Sequence, residues 1–115
     1  MAVVIYHNPR CSKSRETLAL LEKKGIKPTV IEYMRTPPSA KELKSLLAKL
    51  RLKPRELMRK KEPPYAALKL DNEKLSEDAL IKAMVENPVL IERPIVVNGD
   101  KAALGRPPEA VTSIL

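Results

Sequence analysis

The opening segment constrains the fold most. Val3-Val4-Ile5-Tyr6 is a short apolar run that reads as a buried strand, Asn8-Pro9 reads as a turn, and Ser12 to about Lys24 reads as a helix stopped by Gly25. Thr29-Val30-Ile31-Glu32-Tyr33 then reads as a second strand. A strand, a helix and a strand in that order form a crossover, so the two strands should be parallel and the connection right-handed. Leu18 and Leu21 are the expected core contacts of the helix, with Ala19 tolerated beside them.

After Tyr33 the character changes, because Thr36-Pro37-Pro38 breaks the chain. Ser39 with Glu42 forms a capping box ahead of Leu43, Leu46, Leu47 and Leu50. A short helix should start at Pro54, turn Leu57 and Met58 inward, carry Arg59, Lys60 and Lys61 at its end, and stop at Glu62-Pro63-Pro64. Ser76 should cap a third helix, with Glu77 and Asp78 in its first turn, Leu80, Ile81 and Met84 on its apolar side, and Asn87-Pro88 as its close. The region from about 37 to 87 contains no repeat or low-complexity stretch, so it reads as a helical insertion within a single domain covering 1–115.

The sheet resumes at Pro94-Ile95-Val96-Val97, turns at the hairpin signal Asn98-Gly99 and returns antiparallel through Lys101-Ala102-Ala103-Leu104. Gly105-Arg106-Pro107-Pro108-Glu109 leads into a last helix, whose Val111, Ile114 and Leu115 should cover the sheet. The order β-α-β, helical insertion, β-β-α describes an α/β fold with a small mixed sheet, a thioredoxin-like arrangement.

Cys11, the single cysteine, falls at the seam between the first strand and the first helix. At a helix N-terminus, unpaired N–H groups and the positive end of the dipole favour a thiolate, and Arg10, Lys13 and Arg15 add positive charge. The same features hold an oxyanion. A buried, inert cysteine is the plainer alternative. A lone thiol beside basic residues suits a reducing compartment, and the sequence has neither a signal-like segment nor a long apolar span; the expected location is cytoplasmic, away from membranes. The formal net charge of +8 invites a nucleic-acid reading, but with no Phe or Trp and three Tyr the stacking platforms are missing, and no nucleic-acid partner is expected. His7, the only histidine, offers no metal site.

Four motifs carry a resemblance: Tyr6-His7-Asn8-Pro9-Arg10-Cys11, Leu57-Met58-Arg59-Lys60, Ile91-Glu92-Arg93-Pro94-Ile95-Val96-Val97 and Gly105-Arg106-Pro107-Pro108-Glu109. In that order, and over essentially the whole chain, the sequence resembles the glutaredoxin-coupled arsenate reductase family. The resemblance implies Cys11 as nucleophile, Arg59, Arg93 and Arg106 as oxyanion-binding arginines, His7 and Ser14 as supporting residues, and a cis bond before Pro94. It also implies glutathione as co-substrate, glutaredoxin as partner, no bound metal or cofactor, and a monomer. His7 could equally be a structural residue bonded in the turn. The fold family also holds general glutathione-dependent thiol reductases and redox-linked transcription regulators that contact RNA polymerase. Those regulators often carry a second cysteine at the position of Ser14, and its replacement by serine argues against a disulfide switch.

Overall fold

The computed structural model describes residues 2–115. Two compact units emerge, one formed by residues 2–36 with 93–115 and the other by 37–92.

The first unit is a four-stranded mixed sheet with the thioredoxin-like arrangement of strands and helices. Strands β1 (Val3–Tyr6), β2 (Thr29–Ile31), β3 (Ile95–Asn98) and β4 (Lys101–Leu104) lie in the order β2-β1-β3-β4. β1 pairs parallel with β2 and antiparallel with β3, and β3 pairs antiparallel with β4. The crossover between β1 and β2 is helix α1 (Ser12–Lys23). It ends where Gly25, at φ 78°, donates to the Glu22 carbonyl and Ile26 donates to the Leu21 carbonyl, a Schellman closure that turns Ile26 onto the core. That core joins Val3, Ile5, Leu21, Val96 and Val111.

Four expectations for this unit are corrected. β2 ends at Ile31 rather than Tyr33, because the Glu32 carbonyl accepts from the N–H groups of Arg35 and Thr36 and bends the chain into a turn. The hairpin loop is Gly99-Asp100 rather than Asn98-Gly99. Asn98 stays paired with Lys101, and its side-chain amide donates to the Ile114 carbonyl at 2.7 Å, while Gly99 takes the first loop position at φ 65°. The buried face of α1 is as polar as it is apolar, with Ser14 and Thr17 fully buried beside Leu21 and Leu18 only half-buried. The last helix is a 3-10 helix, Pro108–Ile114, in which Val111 is buried and Ile114 packs on the core while Leu115 is exposed.

The second unit contains helices α2 (Ala40–Leu50), α3 (Pro54–Leu57), α4 (Pro63–Ala67) and α5 (Glu77–Glu86), with a 3-10 turn at Pro88–Leu90. α2 and α3 pack against α5, with Leu43, Leu46, Leu57, Leu80, Ile81 and Met84 buried. The short helix at Pro54 ends at Leu57 instead of running on to Lys61. Met58 is extended and bridges Ile91, the Arg59 N–H donates to the Leu90 carbonyl at 2.7 Å, and the Glu92 N–H donates to the Leu57 carbonyl at 2.9 Å. Those backbone groups cannot also serve a helix. Pro63 and Pro64, expected as a stop, occupy the first positions of α4, where a missing N–H is harmless.

Candidate active site

Cys11 is the residue before the first turn of α1, held in extended geometry at φ −95°, ψ 124°. Its own N–H donates to the Asn8 carbonyl at 3.0 Å, and the Asn8 side chain accepts from the Arg10 N–H at 3.0 Å. Asn8 thus folds the loop back on itself in an Asx turn, which leaves the half-buried sulfur facing the end of the helix.

Burial pushes the Cys11 thiol up, and this is the largest single influence on it. The N–H of Ser14, the guanidinium of Arg93 and the N–H of Lys13 favour the charged sulfur as donors, and together with the Arg93 charge they outweigh burial, leaving the pKa below its ordinary 9.0. The helix N-terminus contributes as the sequence suggested. The cation that contributes is Arg93, whereas Lys13 pairs with Glu16 at 3.6 Å and the Arg15 guanidinium donates to the Pro9 carbonyl at 2.9 Å.

Arg106 completes the group around the sulfur. Its Nη1 donates to Cys11 Sγ at 3.9 Å and to the Arg93 carbonyl at 3.2 Å. The peptide bonds Arg93-Pro94 and Arg106-Pro107 are both cis. Gly105 permits this placement: a Cβ there would lie 2.7 Å from Pro94 Cγ and overlap Thr17 Oγ1, so only glycine lets the chain leaving β4 pass this close to α1. Thr17 Oγ1, bonded to the Lys13 carbonyl at 2.8 Å, also reaches the Gly105 carbonyl at 3.4 Å. Thr17 and Gly105 are supports that sequence reasoning passed over. The available signal was a glycine directly before an arginine of interest.

Ser14 is fully buried, and its hydroxyl accepts from the Asn8 N–H at 3.0 Å and lies 2.6 Å from His7 Nδ1. Burial lowers the His7 pKa below its ordinary 6.5; Glu32 opposes that shift and Arg15 adds to it, so the ring is neutral at pH 7. His7 and Ser14 together pin the loop that carries Cys11.

Arg59 lies in the helical unit. Its Nη1 is 2.6 Å from Glu92 Oε1 and its Nε is 3.6 Å from Glu62 Oε1. Among the described residues no group of three or more His, Cys, Asp or Glu could hold a metal ion, and no helix is long and apolar enough to cross a membrane.

Residues 6–114 match the model of the ArsC family. The chain belongs to that family. It is 56% identical over 116 residues to the arsenate reductase of Haemophilus influenzae, an alignment spanning 100% of both chains. It is 57% identical over 114 residues to the uncharacterized protein YfgD of Escherichia coli, covering 98% of this chain and 96% of that one. The solved structure of an arsenate reductase from Vibrio cholerae superposes with a TM-score of 0.98 at 59% identity, covering 100% of this chain and 98% of the other. Both the motifs around Cys11 and those around Arg93 and Arg106 lie inside the matched family region.

Proposed function

We propose that this chain reduces arsenate to arsenite through the Cys11 thiolate, with Arg93 and Arg106 binding the oxyanion, glutathione as co-substrate and glutaredoxin as the partner that restores the thiol. The observation that carries this reading is Arg106 Nη1 at 3.9 Å from Cys11 Sγ, on a sulfur whose charged form Arg93 and two helix N–H groups already favour. A tetrahedral anion beside that sulfur meets two planar, permanently charged forks. Relatives named arsenate reductase support the choice of substrate.

In the first step the thiolate attacks arsenic, an S–As bond forms, and hydroxide leaves and takes up a proton as water. In the second, an external thiolate attacks the Cys11 sulfur, a disulfide forms, and the S–As electron pair passes to arsenic, which departs as arsenite. Two thiols lose two electrons and arsenic gains two. The chain has one cysteine, so the second thiol comes from outside it. Glutaredoxin then resolves the glutathione disulfide by exchange. This chemistry requires no bound metal or organic cofactor, and a monomer in the reducing cytoplasm is sufficient for it.

His7 and Ser14 act as positioning residues for the loop in this scheme. The family resemblance assigns Arg59 to the anion as well; its guanidinium is engaged by Glu92 and Glu62, so the proposal rests on Arg93 and Arg106, and Arg59→Lys tests whether the third joins them.

The deciding measurement is arsenate-dependent NADPH oxidation in a system coupled through glutathione, glutathione reductase and glutaredoxin. Turnover that needs both arsenate and glutathione is the expected result. A folded protein that accepts glutathione on Cys11 yet shows no arsenate-dependent signal would instead be a general thiol reductase.

A further inference from the structure

A cavity of about 280 Å³ opens beside the Cys11 loop, lined by Asn8, Pro9, Arg10, Glu32, Met34 and Arg35. Its lining residues include two arginines and one glutamate. Among the described residues the Arg10 and Arg35 side chains make no hydrogen bond or ion pair within the protein, in contrast to Arg15, which is tied to the Pro9 carbonyl. The backbone of both rims is fixed. Arg10 donates its N–H to the Asn8 side chain, and the N–H groups of Arg35 and Thr36 close the turn on the Glu32 carbonyl. Arg10 directly precedes Cys11 in the chain and the Asn8 carbonyl accepts the Cys11 N–H, so three lining residues belong to the loop that carries the nucleophile.

We infer that this cavity is the docking site of the external thiol, an anionic cysteine-containing tripeptide of the glutathione type, with Arg10 and Arg35 taking its carboxylates and Glu32 its ammonium group. The inference rests on the glutathione-dependent reading above. The charge pattern is what selects the ligand: two cations and one anion face a molecule with two carboxylates and one ammonium. Arsenate carries no cation for Glu32 to meet. The volume is just below the range of about 300–1,000 Å³ usual for small-molecule clefts, which suits a ligand whose thiol must project out of the site toward a neighbouring sulfur. Met34, an exposed apolar side chain on the rim, can cover the aliphatic stem of the peptide. Once docked, the ligand thiolate attacks the Cys11 sulfur of the S–As adduct; the disulfide forms and the S–As pair goes to arsenic, as in the second step above.

The test uses the full chain with Cys11 converted to a mixed disulfide with 2-nitro-5-thiobenzoate, so that the attack is watched by release of the coloured thiol without arsenate. Glutathione and 2-mercaptoethanol are compared, the latter carrying neither carboxylate nor ammonium. The wild-type rate should saturate with glutathione, and the ratio of the glutathione to the 2-mercaptoethanol rate constant should fall about tenfold in Arg35→Glu, as expected for loss of one charge-assisted contact. Arg35→Lys should recover part of that ratio. A ratio unchanged in both Arg35→Glu and Arg10→Glu, with glutathione still reacting and arsenate turnover still glutathione-dependent, overturns the cavity assignment alone. Failure of glutathione to release the coloured thiol from the wild-type chain overturns the glutathione reading and the cavity with it.

Discussion

The N-terminus of α1 and those of α2 and α5 present the same unpaired N–H groups, and the chain deals with them in opposite ways. Ser39 Oγ accepts from the Glu42 N–H and Ser76 Oγ from the Ala79 N–H, each at 3.1 Å, and Glu42, Glu77 and Asp78 place negative charge in those first turns. In α1 the capping position is Cys11, the neutral thiol makes no capping hydrogen bond, and the first turn has no acidic residue. The N–H groups of Lys13 and Ser14 therefore remain available to the sulfur in its charged form. Two helix starts are compensated for stability, and the third is left to be completed by a thiolate or an anion.

The largest effect should come from giving α1 the cap that the other two helices have. Cys11→Ser should abolish arsenate-dependent turnover while leaving stability unchanged or raised by about 0.5–1 kcal/mol, because Ser is a good cap. Denaturant unfolding beside the coupled assay checks both halves. A marked loss of stability would show that the sulfur is a packing element, contrary to the contrast drawn above.

Next in size are the arginines that complete the α1 terminus. Arg93→Lys and Arg106→Lys each keep the charge and lose the fork, and turnover should drop about 10- to 100-fold, in line with roughly 1.5–3 kcal/mol for a charge-assisted hydrogen bond. Removing the charge separates the two roles. Arg93→Gln should raise the pH midpoint of thiolate formation, read by alkylation rate, clearly more than Arg106→Gln, since Arg93 is the arginine whose bond and charge favour the thiolate. Equal shifts would contradict that division.

Ser39→Ala and Ser76→Ala approach the comparison from the other side. Each should cost about 1 kcal/mol of stability, with no movement of the Cys11 midpoint. If either variant shifted that midpoint, the helix ends would not be independent.

The smallest expected effect is on the pH dependence of stability through His7. Its pKa is lower in the folded chain than the ordinary 6.5, so between the folded value and 6.5 the unfolded chain binds more protons. Stability present above 6.5 is therefore lost as pH falls through that window. His7→Asn should flatten this slope in thermal unfolding followed against pH, and a slope of unchanged steepness would remove His7 as its source.

Much of the frame was legible in the sequence because it depends on local chemistry. β1, the start of α1, the capping serines of α2 and α5, β4, and the parallel and antiparallel pairings all follow from apolar runs, caps and a hairpin glycine that act within a few residues. Boundaries set by distant partners were not legible. α3 stops at Leu57 because residues 57–59 bond to residues 90–92, and Asn98 stays in β3 because Ile114 accepts its side-chain amide.

The candidate site divides along the same line. Cys11 at a helix start, with anion-favouring N–H groups, was determined by the sequence by itself, since turn and helix signals meet at that residue. Which cation stands against the sulfur was decided by tertiary structure. Arg10, Lys13 and Arg15 are nearest in the chain, yet Arg93 is the cation that favours the thiolate and Arg106 Nη1 approaches the sulfur to 3.9 Å. The physical reason is that a helix surrounds its own N-terminus with backbone dipoles and directs neighbouring side chains outward, whereas the antiparallel pairing of β3 beside β1 and the close pass of Gly105 over Thr17 carry two arginines, more than eighty residues away in sequence, to the same point.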